Sequence, residues 1–257
     1  MHLATVERRP RAPSTDCCLA ILETLSRHRE GLTLSDIHQI LDVSKNMAFR
    51  ILSDMTDRGF VVRDSRKVYF LSDKLLQLAT PRVAGRNLVD EAAAVVHALR
   101  DDCRESVGLL VPSGDEAVLI YFLPSLYPVR LIFDLGLRLQ LYCNAPGKVF
   151  LAFGDEGERC RRLAGQLLVP RTSHTITDAR QLQLELAQAC REGYTVDRGE
   201  DIEGAHCVAA PVFDRDNRLV AAVVIAAPGQ RMPVAMFPEL GEKVAAAASA
   251  LGDRLGG

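Results

Sequence analysis

Apolar residues along the first eighty positions recur with two different periods. Cys18, Ile21, Leu22 and Leu25 fall at i, i+3, i+4 and i+7, which predicts a helix over about 15–27. Gly31 breaks that pattern. Thr33-Leu34-Ser35-Asp36 has the form of a capping box, with the Thr33 hydroxyl set for an early backbone N–H and Asp36 for the reciprocal bond. A second helix then buries Leu34, Ile37 and Leu41. After the short turn at Asp42-Val43, Ser44 is a good N-cap for a third helix, which buries Ala48, Ile51, Leu52 and Met55. Gly59 is a natural stop. Beyond it the period drops to two, so 60–63 and 68–71 are predicted as strands. Ser72 caps a short helix holding Leu75, Leu76 and Leu78.

Pro81 disfavours helix at the residue before it and closes this front region. A helix over about 87–102 follows, with Leu88, Ala92, Val95, Val96 and Leu99 on one stripe. Strands at 107–111 and 117–123 flank Pro112-Ser113-Gly114-Asp115, a hairpin turn by composition. Residues 129–133 alternate and read as a further strand. Asn144 caps a helix through about Phe153, with Pro146 tolerated in its first turn. Asp178 opens an amphipathic helix to Arg191. A strand at 193–197, a hairpin of 207–213 and 219–226, and an Ala-rich helix over 234–255 complete the chain. This order suggests an antiparallel sheet with helices packed on it.

Length and composition add boundaries. A chain of 257 residues with 48% hydrophobic and 25% charged residues suits an ordinary globular protein of two domains or one large one. A net charge of −2 argues against coating nucleic acid or membrane by bulk charge. Residues 1–80 nevertheless carry 12 Lys and Arg against 10 Asp and Glu, whereas the remainder carries 19 against 23. The cysteines, Cys17, Cys18, Cys103, Cys143, Cys160, Cys190 and Cys207, are odd in number and form no CxxC, which suits neither a disulfide framework nor a zinc ribbon. Residues 1–14 are rich in Arg and Pro without an apolar stretch, and the longest apolar run, 220–227, is too short for a bilayer. A cytoplasmic protein without membrane attachment, cofactor or bound metal is expected.

Two short helices joined by a tight turn make a helix-turn-helix, whose second member reads the major groove. Lys45, Asn46, Met47 and Arg50 are the expected outward positions of that helix. Asn46 can pair with an adenine edge and Met47 can touch a thymine methyl, while Lys45, Arg50 and the N-caps Thr33 and Ser44 suit phosphates. The polar turn Asp64-Ser65-Arg66-Lys67 carries two cations at the tip of a hairpin, so it reads as a wing reaching a neighbouring groove.

Taken in order, several segments resemble the IclR family of transcription regulators: Gly31-Leu-Thr-Leu-Ser-Asp-Ile37; Val43-Ser-Lys-Asn-Met-Ala-Phe-Arg-Ile-Leu52 with Arg58-Gly-Phe-Val61; Asn144-Ala-Pro-Gly-Lys-Val-Phe-Leu-Ala152; Ser173-His-Thr-Ile-Thr-Asp178; and Glu192-Gly-Tyr-Thr-Val-Asp197 with Cys207-Val-Ala-Ala-Pro-Val-Phe-Asp214. The resemblance implies an α+β chain: a tail over 1–14 expected to be disordered, a winged helix-turn-helix over 15–80, a linker helix over 81–104, and a GAF-like α/β effector-binding domain over 105–257. It further implies a homodimer or tetramer that binds double-stranded operator DNA, more often as a repressor, under control of a small molecule. Where the family commonly has Ser-Thr after the recognition-helix lysine, this chain has Asn46-Met47, so the operator of a relative cannot be borrowed.

Ala145, Pro146 and Gly147 at a helix N-terminus could cradle an anion, with Lys148 as a candidate ligand cation. By the resemblance, Asp197 and Cys207 align with effector-contacting positions, and Phe133 and Leu141 line an apolar side. Relatives that bind very small oxoacids carry two hydroxyl residues where this chain has Val224 and Ala226. An organic acid with an apolar body, aromatic or branched, is therefore the expected effector. Three other readings remain at this point: a redox-sensing regulator switching at Cys207 or Cys143, an interaction module that never touches DNA, and an enzyme tethered to a DNA reader. No GxSxG or Cys/His context supports the last, so an enzyme is not expected.

Overall fold

The computed structural model of the chain describes residues 12–79, 81–157 and 167–256. These residues fall into two compact units divided between Ala79 and Thr80. The expected tail lies largely outside the described residues, as does Cys160. Pro13 and Ser14 already belong to the first helix, because proline is tolerated in a helical first turn.

The first unit opens with α1, Pro13–Arg27. A short strand β1, Leu32–Thr33, leads directly into α2, Leu34–Ile40. The capping box forms as the spacing requires: Asp36 N–H donates to Thr33 Oγ1, and the Thr33 N–H donates to Asp36 Oδ2 at 2.8 Å. Helix α3, Lys45–Asp57, begins at Ser44, whose Oγ accepts the Met47 N–H at 3.2 Å. Strands β2, Val61–Arg63, and β3, Val68–Leu71, form the predicted hairpin, and α4 runs Lys74–Ala79. The sheet order is β1-β3-β2, all antiparallel. Ile21, Ile37, Ala48, Leu52 and Val61 are fully buried in one core between helices and sheet. β1 was not foreseen in the sequence. It lies against β3 because Gly31 takes φ +71° and has no side chain: a Cβ there would meet Phe70 and Val68 at 2.6 Å.

The second unit begins with the small ribbon β4, Arg82–Val83, and β5, Arg86–Asn87. Asn87 caps α5, Leu88–Cys103. Six antiparallel strands follow: β6, Ser106–Ser113; β7, Glu116–Leu123; β8, Arg138–Gln140; β9, Thr195–Arg198; β10, Ala205–Phe213; and β11, Leu219–Pro228. Their order is β8-β7-β6-β11-β10-β9. Helices α6, Ala145–Ala152, and α7, Ala179–Glu192, lie in sequence between β8 and β9. A 3-10 turn, Val234–Met236, precedes the last helix, α8, Phe237–Gly256.

Alternation along the strands builds two cores. Val208, Ala210, Val212, Val223 and Ile225 face α5 and α8. Ala209, Ala222 and Val224 face α6 and α7. The helix over 88–103 is thus built into the core of the second unit, with Leu88, Ala92 and Val96 fully buried. Both faces of the sheet are covered, which explains why β11 reads as a continuous apolar run.

Residues 129–133 form no strand. Their alternation is not used in pairing, and Val129 and Ile132 stand exposed. The third partner of that hairpin is β8, whose Arg138, Leu139 and Gln140 oppose Val118, Ala117 and Glu116.

Candidate functional site

On α3, Lys45, Asn46, Arg50 and Ser53 are exposed on the side away from the core. Phe49 shares that side and is 50% exposed, a large apolar group with nothing covering it among the described residues. Sequence reasoning had passed it over. Its spacing of i+4 from Lys45 and i+3 from Asn46 is the signal that would have found it. Met47, by contrast, is half-buried and packs against the core, so it is a helix-seating residue rather than an outward one.

The two caps differ in what they leave available. The Thr33 hydroxyl accepts from the Asp36 N–H and donates to Asp36 Oδ2 at 2.7 Å, so both of its functions are used. Ser44 is exposed and only accepts, so its hydroxyl proton has no acceptor among the described residues.

At the hairpin tip Asp64 organises the turn, accepting from the Arg66 and Val68 N–H groups, each at 2.9 Å. These bonds hold its carboxyl below the usual carboxylate range, the Val68 bond being the largest cause. Arg66 leans on Asp64 at 2.9 Å, yet its side chain is 75% exposed. Lys67 takes a left-handed φ of +65° and is exposed beside it. An exposed helix face with an exposed N-cap, followed by a basic hairpin, is the geometry of a groove reader.

In the second unit one cavity lies on the α6 side of the sheet. The register puts Asp197, Cys207, Ala226 and Ser106 in a single row across β9, β10, β11 and β6. Since neighbours alternate, Cys207 faces α6 while His206 faces α8, where its Nδ1 meets the Met232 carbonyl at 2.8 Å. Asp197, Cys207, Val224 and Ala226 line the cavity together with Pro146 of α6 and Phe133 of the β7–β8 connection. Asn144, Phe122, Leu137, Asp201 and Ile202 join them. Phe133 meets Phe122 edge-on at 5.7 Å between ring centres. The space is about 50 Å³, enough for roughly four water-sized groups as it stands.

Three candidate positions lie off that lining. Leu141 is 1% exposed and packs in the core behind it. Ala145 is buried, with its carbonyl accepting from Thr195 Oγ1 at 2.7 Å. The room beside Gly147 is filled by the chain itself: a Cβ there would lie 2.7 Å from the Gln140 carbonyl oxygen and Leu141 Cα. The helix N-terminus is also occupied, because the Gly147 N–H donates to Asn144 Oδ1 at 2.8 Å and the Lys148 N–H to the Asn144 carbonyl.

Lys148 does not reach the cavity lining. It is fully buried, and its ammonium donates to Glu185 Oε1 at 2.5 Å, Glu200 Oε1 at 2.6 Å and the Val196 carbonyl at 3.1 Å. Its three donors are thereby used. Arg198 joins Glu185 at 3.2 Å from the outer side.

Asp197 is 3% exposed, and burial pushes its carboxyl up to about 7 against the pull of the Glu200 N–H, which it accepts at 2.6 Å. Burial likewise pushes the Cys143 thiol up to about 12 and raises that of Cys207 well above the usual range. Thiols held protonated in this way are unreactive, the opposite of what a redox switch needs.

Fold and site together define a class: a winged helix-turn-helix reader on one chain with an α/β unit that encloses a small, mostly apolar cavity. Comparison with known proteins gives the family. The pattern described as "Bacterial transcriptional regulator IclR C-terminal" matches residues 81–252, and that of the "IclR helix-turn-helix domain" matches 15–65. The chain belongs to the IclR family of bacterial transcription regulators. It is 30% identical over 239 residues to the HTH-type transcriptional repressor AllR of Escherichia coli (strain K12), covering 93% of this chain and 88% of that one. The crystal structure of the Thermotoga maritima IclR superposes with a TM-score of 0.80 at 26% identity, covering 95% of this chain and 99% of that one. An IclR homolog from Microbacterium hydrocarbonoxydans, solved in complex with 4-hydroxybenzoate, shares the fold with a TM-score of 0.77 at 24% identity over 94% of this chain and 98% of that one. The protein is thus a DNA-binding transcription regulator with an effector-binding domain, and not an enzyme. No helix among the described residues is long and apolar enough to cross a membrane.

Proposed function

We propose that this regulator is a cytoplasmic repressor, acting as a homo-oligomer on double-stranded operator DNA, whose grip is set by a small organic acid in the Asp197–Cys207 cavity. The observation that carries the effector half is the lining: Leu110, Leu119, Phe122, Phe133, Val224 and Ala226 enclose apolar walls around one polar end at Asp197 and Asn144. Such a cavity suits a ligand with a hydrocarbon body and a single polar terminus. The 4-hydroxybenzoate complex of the Microbacterium protein supports an organic acid with an aromatic body as the class of ligand. A benzoate-sized body needs the Phe133–Leu137 wall to give way, whereas isobutyrate is closer to the space present.

On the DNA side, Lys45, Asn46, Phe49 and Arg50 face the major groove, the Ser44 hydroxyl meets a phosphate, and Arg66 and Lys67 follow the backbone beside it. Thr33 contributes by holding α2. Phe49 is the residue we assign to a thymine methyl. Phe49→Ala is expected to flatten the base preference at one operator position by about 1 kcal/mol while leaving salt dependence unchanged. Binding-site selection with both proteins checks this; an unchanged preference at every position would exclude a reading role for the ring.

An effector shifts the operator equilibrium only if it favours one arrangement of the readers over another. Titration calorimetry with isobutyrate, isovalerate, benzoate and glyoxylate, paired with operator affinity at each saturation, tests the whole proposal. One of the apolar acids is expected to bind and to weaken operator binding at least fivefold, an ordinary allosteric coupling. Binding of glyoxylate alone would overturn the apolar-body reading, and binding without any change at the operator would overturn the regulatory one.

A further inference from the structure

The cavity has an unusual charge balance for a receptor of acids. Among the described residues its lining holds two carboxyl groups, Asp197 and Asp201, and no lysine, arginine or histidine. Asp201 is engaged by the Arg171 guanidinium and by the Cys143 S–H at 3.8 Å. The nearest buried cation, Lys148, is consumed by Glu185, Glu200 and the Val196 carbonyl. The first turn of α6 offers little, since Pro146 has no N–H and the Gly147 and Lys148 N–H groups are taken by Asn144. With Asp201 already matched by Arg171, a bare carboxylate brought into this space would face ionised Asp197 with no further cation among the described lining residues and no free α6 donor from Pro146 to Lys148, an arrangement a low-dielectric site does not tolerate.

Asp197 offers the way out. Its Oδ1 accepts the Glu200 N–H, and no other hydrogen bond reaches this carboxyl among the described residues. Building on the organic-acid reading above, we propose that the effector's carboxyl and Asp197 are held together by one shared proton, making Asp197 the residue that recognises the acid end. The pair has a single negative charge, and the O–H···O⁻ bond takes the place of the missing cation, as in carboxyl dyads that cannot both ionise. The raised titration of Asp197 agrees with this: at neutral pH the free protein already carries about half of the required proton.

The proton balance fixes the pH dependence. Below about pH 7 Asp197 brings its own proton and the ligand enters ionised, so no net proton is bound. Above it both partners are ionised, and each binding event takes one proton from solvent. Affinity is therefore flat from about pH 5.5 to 6.5 and then falls about tenfold per unit. The groups facing Asp197 are Glu200 and Asp201 in the following loop, Lys148 on α6, Cys143 before it and Cys207 on β10. His174 lies near Gly199, and its substitution serves as the control.

The test is calorimetry of isobutyrate and benzoate on the full-length protein between pH 5.5 and 8.5. In parallel, buffers of different ionisation enthalpy report the protons taken up. For the wild type, Kd should rise about thirtyfold between pH 6 and 8.5, and uptake should climb from near zero to near one proton. In Asp197→Asn the amide N–H donates permanently, so the pH dependence should vanish and binding at pH 8.5 should match that at pH 6. His174→Gln should keep the wild-type profile. A flat wild-type profile with no proton uptake would overturn the proposal without touching the organic-acid reading, and the wild-type uptake decides this even if Asp197→Asn does not fold. A pH dependence that survives Asp197→Asn, or disappears in His174→Gln, would overturn it too. If neither acid binds the wild type at any pH, the organic-acid reading itself fails and takes this proposal with it.

Discussion

The double variant Lys45→Ala, Arg50→Ala is expected to lose on the order of a hundredfold or more in operator affinity while folding as the parent does. Both side chains are exposed, and neither makes a hydrogen bond or ion pair among the described residues. Removing them therefore leaves the α1–α2–α3 core of Ile21, Ile37, Ala48 and Leu52 untouched, and the thermal transition should move by no more than a degree or two. The loss falls on the electrostatic part of binding. Each phosphate contact removed should lower the slope of log affinity against log salt by about one unit. The deficit is accordingly largest at low salt and shrinks as salt rises. Fluorescence anisotropy on an operator found by genome-wide footprinting, read at several salt concentrations, separates this outcome from a general weakening. A double variant that holds the operator as tightly as the parent would remove α3 from the groove, and the reading of Phe49 and Asn46 with it.

What the sequence made legible is what is local. Thr33, Ser44, Asn144 and Asp178 all cap the helices their spacing predicted, because a cap needs only a polar side chain three residues before the N–H it accepts. The apolar stripe of α5 and the hairpin of β10 and β11 were legible for the same reason, one face being repeated at a fixed period. What escaped depends on partners far along the chain. β1 and β8 are strands of two and three residues that exist only because β3 and β7 pair with them. Residues 129–133 have the alternation of a strand and no edge to add to. At the site, alternation explains why Cys207 lines the cavity and His206 does not. It could not show that Gln140 and Leu141 fill the space Gly147 leaves, nor that Asp201 and Ile202, on a loop without period, complete the cavity wall. Phe49 is a different case: its position was readable, but an aromatic ring is assumed to be core until a structure shows it bare.

Lys148 is a position the sequence leaves open, and there the second large effect is expected. Placed after a small-residue helix start, it reads equally as a ligand cation or as a solvated or helix-packing lysine. It is instead a fully buried ammonium whose carboxylate partners lie 37 and 52 positions away in sequence. Substituting Lys148→Met keeps the apolar stem but strands Glu200, whose Oε2 already lacks a hydrogen-bond partner among the described residues. Breaking a buried pair from one side costs about 3–5 kcal/mol, which for a unit of this size lowers the transition by roughly 6–20 °C. The double variant Lys148→Met, Glu200→Gln should recover much of the loss, because the uncompensated charge is gone. The pH dependence carries the sign. Burial raises the Glu200 carboxyl, and Lys148 is the first influence opposing that rise. Deleting the lysine lifts the folded-state value further above the unfolded one, so protonated Glu200 favours the folded form. That contribution is fully present below the ordinary carboxylate range and is lost as pH rises through the lifted folded value. The deficit of Lys148→Met should therefore be smallest near pH 4 and grow toward neutrality, in thermal melts followed by circular dichroism. A deficit independent of pH, or no rescue by Glu200→Gln, would mean that the lysine acts through packing alone and that the charge network beneath Asp197 does not hold the second unit together.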